Sequence, residues 1–598
     1  MVQQQQQIDN LVVLWETAAS RYADNPYIGT RNASGTYDWA TYKDVDKRIR
    51  NLRGGLAHLG IGRGDAVGII ANNRLEWVIA AFATYSLGAR YVTMYESELI
   101  KTCHYIVSDA AVKVLLVSKQ DIYNKVKNFP AEISSLKKII VIEGQGKDSL
   151  VELEKIGAAH PVKAVHPDPD EIAGLIYTSG TTGEPKGVLL SHSNFCSNIL
   201  AAKDRYPHLC SKDRCLNILP WAHSFGQVME LYFFTMNGGS VGIMGSTATI
   251  VADMAQVRPT FVVAVPRVFN KIYESLHVAM NEKGGLAKKL FFSGLKSAKA
   301  RRSGQGGMKD EITCLLADKI VFKKIRDRFG GRLQQALTGA AAINPDIACF
   351  FDDIGIPLYE AYGMTELSPG ITANAPTANR KGSVGRPLNG VRVVIDKSLV
   401  EKGARDGEII VYGPNVMRGY HNKVEQTREV MTADGGLRTG DRGRLDDDGF
   451  LYITGRIKEQ FKLENAKFVF PAAMEEDITM SSLVQNALVY GDNKPYTVCL
   501  VVPDANALGK YAEKNNLSSD VPTLLQRKDV QEMIEQEVSR SLAGKYGGYE
   551  IPKKFLFLTE DFSVENGMLT QTMKMKRGVI LKKHMPQIEA LYREESSN

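Results

Sequence analysis

Runs of valine, isoleucine and leucine alternate along this chain with longer segments whose apolar residues recur every three or four positions. The runs predict strands at 65–70, 112–117, 138–142 and 261–265, the last stopped by Pro266, and the longer period predicts a helix over 76–87. Strands that are apolar without alternation, set between helices, belong to parallel sheets covered on both faces. The expected fold class is therefore α/β, with a large N-terminal domain of layered α/β subdomains. From Arg392 the texture changes. Short β runs at 408–412 and 449–453, separated by Gly/Asp turns, predict a small β unit. Beyond Gly455-Arg456 alternating α and β patterns restart. The expected division is 1–455 as the large domain, 456–458 as a hinge and 459–598 as a small, mobile α+β C-terminal domain.

Composition narrows the class. With 598 residues, 44% hydrophobic and 24% charged, the chain reads as an ordinary globular protein of several folding units. Its seven cysteines are odd in number and form no CxxC pair, which argues against a disulfide framework and for a reducing, cytoplasmic setting. The N-terminus, Met1-Val2 and then glutamines 3–7, lacks a signal-peptide pattern, and no stretch approaches the ~20 apolar residues of a membrane span. The net charge of +7 is mild. Nucleic-acid binding would need a concentrated stripe and a reading motif, and neither is present. One segment departs from the average. Residues 283–309 hold eight Lys/Arg and no acid, with Leu286, Leu290, Phe291 and Leu295 at helical spacing. Two readings stand: a solvated amphipathic surface helix, or a peripheral contact with a membrane surface.

The strongest chemical signal is Tyr177-Thr178-Ser179-Gly180-Thr181-Thr182-Gly183-Glu184-Pro185-Lys186-Gly187. It follows a predicted strand end and packs hydroxyls, two glycines and a lysine into a loop. Glycines let backbone N–H groups approach phosphate oxygens, hydroxyls add donors, and the lysine adds charge. It is not a Walker A loop. Further along come Pro220-Trp221-Ala222-His223-Ser224-Phe225-Gly226, Thr338-Gly339-Ala340-Ala341-Ala342, Tyr359-Glu360-Ala361-Tyr362-Gly363-Met364-Thr365-Glu366, Thr439-Gly440-Asp441, Gly455-Arg456 and Leu569–Arg577. Each alone has a bland reading: a packed core histidine, a tight strand-to-helix turn, a helix cap, an ordinary Gly-Asp turn, a solvated basic tail.

Together, in this order, they resemble the motifs of the adenylate-forming superfamily of acyl-CoA synthetases, luciferases and peptide-synthetase adenylation domains. The resemblance runs over nearly the whole chain. It implies that Thr178, Ser179, Gly180, Thr181, Thr182, Gly183 and Lys186 grip the phosphates of ATP. Gly339, Ala340, Ala341, Glu360, Ala361, Tyr362 and Gly363 would line the adenine and acyl sites, with Tyr362 stacking on the base. Thr365 would bond a phosphate or acyl carboxylate oxygen, and His223 would gate the acyl pocket. Asp441 would accept the ribose hydroxyls, with Arg456 beside it. Glu366 and Thr178 would hold Mg²⁺, a cation that prefers hard oxygens. Lys574 would neutralise charge at the reacting carboxylate and α-phosphate, and Lys458 would be the hinge.

The resemblance is greatest to the long-chain fatty acyl-CoA synthetases, through Phe461-Lys462-Leu463 and through Gly60, Glu76-Trp77 and Gly88-Ala89. It implies a fatty acid, ATP and coenzyme A as substrates, and it leaves open whether the chain is a homodimer. Two positions depart from that pattern: Ala466 stands where the family has glycine, and Gln571 where it has proline. Two further functions stay open, an acyl-AMP ligase that serves a carrier protein and a lipid-uptake binding protein without catalysis.

Overall fold

The computed structural model describes residues 8–178, 184–398, 400, 403–457, 459–465, 467–570 and 574–593. The chain divides into two compact units. The larger comprises residues up to 394 with 410–438 and 447–451, and the smaller comprises 395–409, 439–446 and 452 onward.

Two sheets build the larger unit. In the six-stranded sheet the order is Lys138–Val141, Val112–Val117, Ala66–Ile70, Arg90–Met94, Ile172–Thr178, Lys186–Ser191. The first five strands are parallel and the last turns back antiparallel. The nine-stranded sheet has six parallel central strands, among them Gln335–Thr338 and Leu358–Gly363, with antiparallel additions at both edges. Ala66–Ile70 and Phe261–Ala264 are buried at every residue, which is why their sequences show no alternation. The mixed α/β class expected from the apolar runs is the class observed.

Most boundaries fall within two residues of expectation, and the strand Val112–Val117 falls on it. The run expected at 449–453 is displaced. Gly449 sits in a turn at φ +77°, and the strand is Leu451–Arg456. The small β unit beyond Arg392 is a four-stranded sheet of Arg392–Asp396, Gly407–Tyr412, Leu437–Leu445 and Leu451–Arg456.

The smaller unit has a three-stranded sheet of Val484–Tyr490, Val498–Pro503 and Lys554–Phe557, packed against Pro471–Ile478 and Lys528–Leu542. Its helix Arg577–Arg593 starts at a buried ion pair. Arg577 meets the Glu475 carboxylate and donates to the Val489 carbonyl at 2.7 Å, while Val489 N–H donates back to Glu475 at 2.7 Å. A charge pair removed from water costs free energy unless its hydrogen bonds are met inside. Here the backbone of one strand meets them.

Candidate active site

The hairpin of Ile172–Thr178 and Lys186–Ser191 sets the first geometry. Its register puts Thr178 directly opposite Lys186 and Tyr177 opposite Gly187. A Cβ on Gly187 would lie 2.9 Å from the Tyr177 ring, so glycine is what lets the ring lie across the hairpin. Tyr177 then donates to Asp109 Oδ2 at 2.6 Å, fixing the base of the loop. Ser179, Gly180, Thr181, Thr182 and Gly183 lie outside the described residues, while Thr178 and Lys186 frame them.

Lys186–Ser191 is flanked on its other side by residues 418–421. Leu189 N–H donates to Gly419 O at 3.0 Å, Arg418 N–H to Leu189 O at 2.9 Å and His421 N–H to Gly187 O at 2.7 Å. This pairing carries Tyr420 into the site. The Lys186 ammonium lies 4.9 Å from the centre of its ring, and the Tyr420 hydroxyl donates to Glu366 Oε1 at 2.8 Å. Burial first, then the Glu366 carboxylate, hold the phenol far above its ordinary value, so it stays a neutral donor. Lysine, aromatic ring and carboxylate thus form one array.

Glu366 is 8% exposed and sits on the turn 363–370, which is braced on several sides. A Cβ on Gly363 would lie 1.9 Å from the Pro369 carbonyl oxygen. Asn198 donates to Leu367 O at 3.2 Å and accepts from Gly370 N–H at 2.8 Å. Asn415 donates to Leu367 O at 3.2 Å and to Gly370 O at 2.9 Å. Both amides tie the end of the short helical turn Thr365–Leu367 to the start of the strand Gly370–Ala373, which removes conformational freedom from Thr365 and Glu366. The Ser224 hydroxyl donates to Thr365 Oγ1 at 3.3 Å, which brings the His223 segment to the same turn. His223 Nδ1 accepts from Phe225 N–H at 3.2 Å, placing the proton of the neutral ring on Nε2.

The His223 segment has its own support. Glu230, wholly buried, accepts from Ile218 N–H at 2.9 Å, Leu219 N–H at 3.1 Å and the Asn217 amide. Asn73 donates to Asn217 Oδ1 at 2.6 Å and to Leu219 O at 2.7 Å, and accepts from Trp221 N–H at 2.7 Å. Burial pushes the Glu230 carboxyl up to about 8 against the pull of these donors.

Gly339 follows the strand Gln335–Thr338, where an added Cβ would lie 2.9 Å from Ala361 O and 3.3 Å from the Phe225 ring. Ala340 holds a left-handed φ of +70°. Side chains are excluded here, and a flat ring could lie against this backbone. Glu360, 8% exposed, accepts from Ile343 N–H at 3.3 Å, and burial pushes its carboxyl up to about 8 with Lys381 opposing. Ala361, Tyr362 and Gly363 form the end of the strand Leu358–Gly363, paired with Gly370–Ala373.

Asp441 and Arg456 belong to the smaller unit. Their side chains meet at 2.9 Å, with Asp441 nearly buried and Arg456 half exposed. Gly440, at φ +71°, makes the bend before Asp441, and Thr439 ties it down by donating to Ile409 O at 2.8 Å and accepting from Asp441 N–H at 3.1 Å. Lys574 is exposed and pairs with Thr570, whose N–H donates to Lys574 O at 2.8 Å while Lys574 N–H donates to Thr570 Oγ1 at 3.0 Å. Lys458, Ala466 and Gln571 lie outside the described residues.

The AMP-binding enzyme family profile matches residues 15–421, and the C-terminal domain of AMP-binding enzymes matches 458–596. This chain belongs to the AMP-binding enzyme family. A long-chain-fatty-acid–CoA ligase of Mycobacterium bovis is 32% identical to it over 94% of both chains. Long chain acyl-CoA synthetase 8 of Arabidopsis thaliana is 30% identical over 97% of this chain and 88% of its own. Long-chain-fatty-acid–CoA ligase 5 of Rattus norvegicus is 31% identical over 95% and 86%. Among solved structures, the adenylation domain of a carboxylate reductase from Mycobacterium chelonae superposes with a TM-score of 0.78 at 22% identity, covering 98% of this chain and 91% of that one. ATP-bound MatB from Rhodopseudomonas palustris gives 0.70 at 21%, covering 96% and 99%. Both share the AMP-binding fold of this chain.

Within that fold, the structure draws together Thr178, Lys186, Thr365, Glu366 and the His223 segment, with Gly339 against Ala361. Tyr420 is the site residue the motifs miss. It lies 234 positions from Lys186 and 54 from Glu366, and no spacing rule ties the three. Asn198, Asn415 and Asn73 are also invisible in sequence, because each acts on backbone distant in the chain, and Glu230 because no motif marks the nearby backbone it accepts from.

Proposed function

We propose that this AMP-binding enzyme activates a long-chain fatty acid with ATP as an acyl-adenylate, then transfers the acyl group to coenzyme A, releasing AMP and pyrophosphate. The observation that carries this reading is the Lys186–Tyr420–Glu366 array at the foot of the Thr178/Lys186 hairpin. It sets a cation over one ring and a buried carboxylate at that ring's hydroxyl, next to a loop whose sequence is rich in hydroxyls and glycine.

The carboxylate of the acid attacks the α-phosphate, so the substrate is the nucleophile and no enzyme side chain need become acylated. The protein's share is positioning and charge stabilisation. Lys186 and the 178–183 loop would hold the β- and γ-phosphates. Thr365, fixed through Ser224 and the braced 363–370 turn, would orient the reacting oxygens, and His223 would close the acyl pocket. Glu366 and Thr178 offer hard oxygens, and Glu366 Oε2 has no partner among the described residues, a donor set that fits Mg²⁺. When bound, Mg²⁺ would withdraw charge from the pyrophosphate leaving group. Asp441 would accept the ribose hydroxyls, released from Arg456 or shared with it. Lys574 would join the reacting centre in the first half-reaction, with the small domain turning about Lys458 for the second. The long-chain acid and the coenzyme A acceptor are supported by the names of relatives that align over almost the whole chain.

The test is a panel of acids with ATP and Mg²⁺, with and without coenzyme A. Pyrophosphate release with long-chain acids and thioester only when coenzyme A is added is expected. Equal turnover of acetate or aryl acids defeats the substrate, release without thioester points to a different acceptor, and no release with any acid removes the enzymatic reading.

A further inference from the structure

The basic segment and an apolar helix face come together on one helical hairpin of the larger unit. Helices Gly285–Arg302 and Met308–Ala317 pack closely, because Gly294 lets Ala317 and Phe322 approach to where its own Cβ would be. In the first helix the sequence pattern suggested a stripe of Leu286, Leu290, Phe291 and Leu295. The structure turns most of it inward: Phe291 is buried, Leu290 and Leu295 are half-buried, and Leu286 alone is exposed.

The solvent-facing stripe lies on the second helix instead. Met308, Ile312, Leu315 and Leu316 are 79%, 52%, 65% and 47% exposed, and their i, i+4, i+7, i+8 spacing puts them on one face. Ala317, on the opposite face, is the buried residue of this helix. Of the fifteen large hydrophobic residues exposed among the described residues, seven fall between Val278 and Ile320. A contiguous apolar face in water marks a contact surface.

Charge decides what covers it. Residues 283–328 hold thirteen Lys/Arg and four Asp/Glu, a net +9 in a chain whose total is +7. Of these, Arg302, Lys323 and Arg326 are in ion pairs, with Asp353, Asp327 and Asp318. Lys288, Lys289, Lys296, Lys299 and Lys309 are exposed and in no ion pair among the described residues. A second copy docked on this face would set +9 against +9, so self-association is disfavoured. A surface that is negative outside and apolar beneath meets both features at once.

We propose that the 285–317 hairpin is a membrane-docking element, which inserts Met308, Ile312, Leu315 and Leu316 into an anionic lipid leaflet while the flanking lysines bind headgroups. No helix among the described residues is long and apolar enough to cross a membrane. The contact is therefore an in-plane one, of the kind an amphipathic helix makes. It does not depend on which acid the enzyme activates.

The test is flotation of the full-length enzyme with phosphatidylcholine vesicles, with and without 30% phosphatidylglycerol. Binding is expected with the anionic lipid and is lost in 0.5 M salt. Each lysine near an anionic surface changes binding by about fivefold, so Lys288→Ala/Lys289→Ala/Lys299→Ala weakens it by about a hundredfold. Ile312→Ser/Leu315→Ser weakens it comparably, and both variants keep wild-type activity in detergent-free assay and wild-type melting. In Leu315→Trp, lipids brominated along the acyl chain quench the new fluorescence. Absence of wild-type binding, or unchanged binding in both variants, overturns the proposal. So does a concentration-dependent dimer that the Ile312→Ser/Leu315→Ser variant abolishes while vesicle binding is absent, since that gives the face to a second copy.

Discussion

At the scale of single residues, Tyr420 joins two charges that the sequence shows only as separate motif positions. Its ring lies under the Lys186 ammonium and its hydroxyl donates to Glu366. Tyr420→Phe keeps the ring and removes the hydrogen bond. A hydrogen bond to a charged group contributes about 1.5–3 kcal/mol, so this variant should lose roughly ten- to a hundredfold in pyrophosphate release at limiting MgATP. Loss of less than about twofold would show that Glu366 holds its place without the phenol. Glu360 gives a pH prediction with a defined sign. Burial raises its folded-state carboxyl to about 8 from an ordinary value near 4.5. The stability this contributes is full below pH 4.5 and is lost as pH rises through about 8. Glu360→Gln should therefore flatten the fall in stability between pH 6 and pH 9, by about 2–3 kcal/mol, read from urea unfolding at each pH. The residues proposed to hold phosphate and metal stand out in sequence because phosphate loops and carboxylates come in fixed local patterns. Tyr420, Asn198 and Asn415 were not, since their partners lie in other segments and only the folded backbone brings them near.

At the scale of elements, a close backbone approach constrains the hairpin that carries Tyr362 and Glu366. Gly363 faces the Pro369 carbonyl with no room for a methyl group. Gly363→Ala must push the two strands apart, and it should destabilise the larger unit by about 2 kcal/mol or more and abolish adenylation together. A stable, inactive variant would separate the two effects and contradict this account. Continuous strands such as Val112–Val117 were readable because both faces are buried and nothing interrupts the run. The strand near 451 was misplaced by two residues because glycine and aspartate around Gly449 serve a turn that apolar pattern alone does not position. The helix Gly285–Arg302 shows a further limit. Helical spacing revealed a stripe, but which neighbour covers that stripe depends on the Gly294–Ala317 approach, which is a tertiary fact.

At the scale of the whole molecule, two compact units divide the proposed chemistry between them. Thr178, Lys186 and Glu366 belong to the larger, and Asp441, Arg456 and Lys574 to the smaller. Lys574→Ala should lose adenylation by at least about a hundredfold while thioester formation from supplied acyl-AMP changes little. Equal loss in both assays would remove Lys574 from the first half-reaction. The uneven charge of the chain has a practical consequence as well. Outside 283–328 the remaining residues sum to −2 although the pI is about 8.7. Retention on a sulfonated resin should follow the crowded side rather than the average. Trading three of those lysines for alanine lowers the net charge from +7 to +4, and should bring elution forward to lower salt than the same loss of charge spread over the rest of the surface.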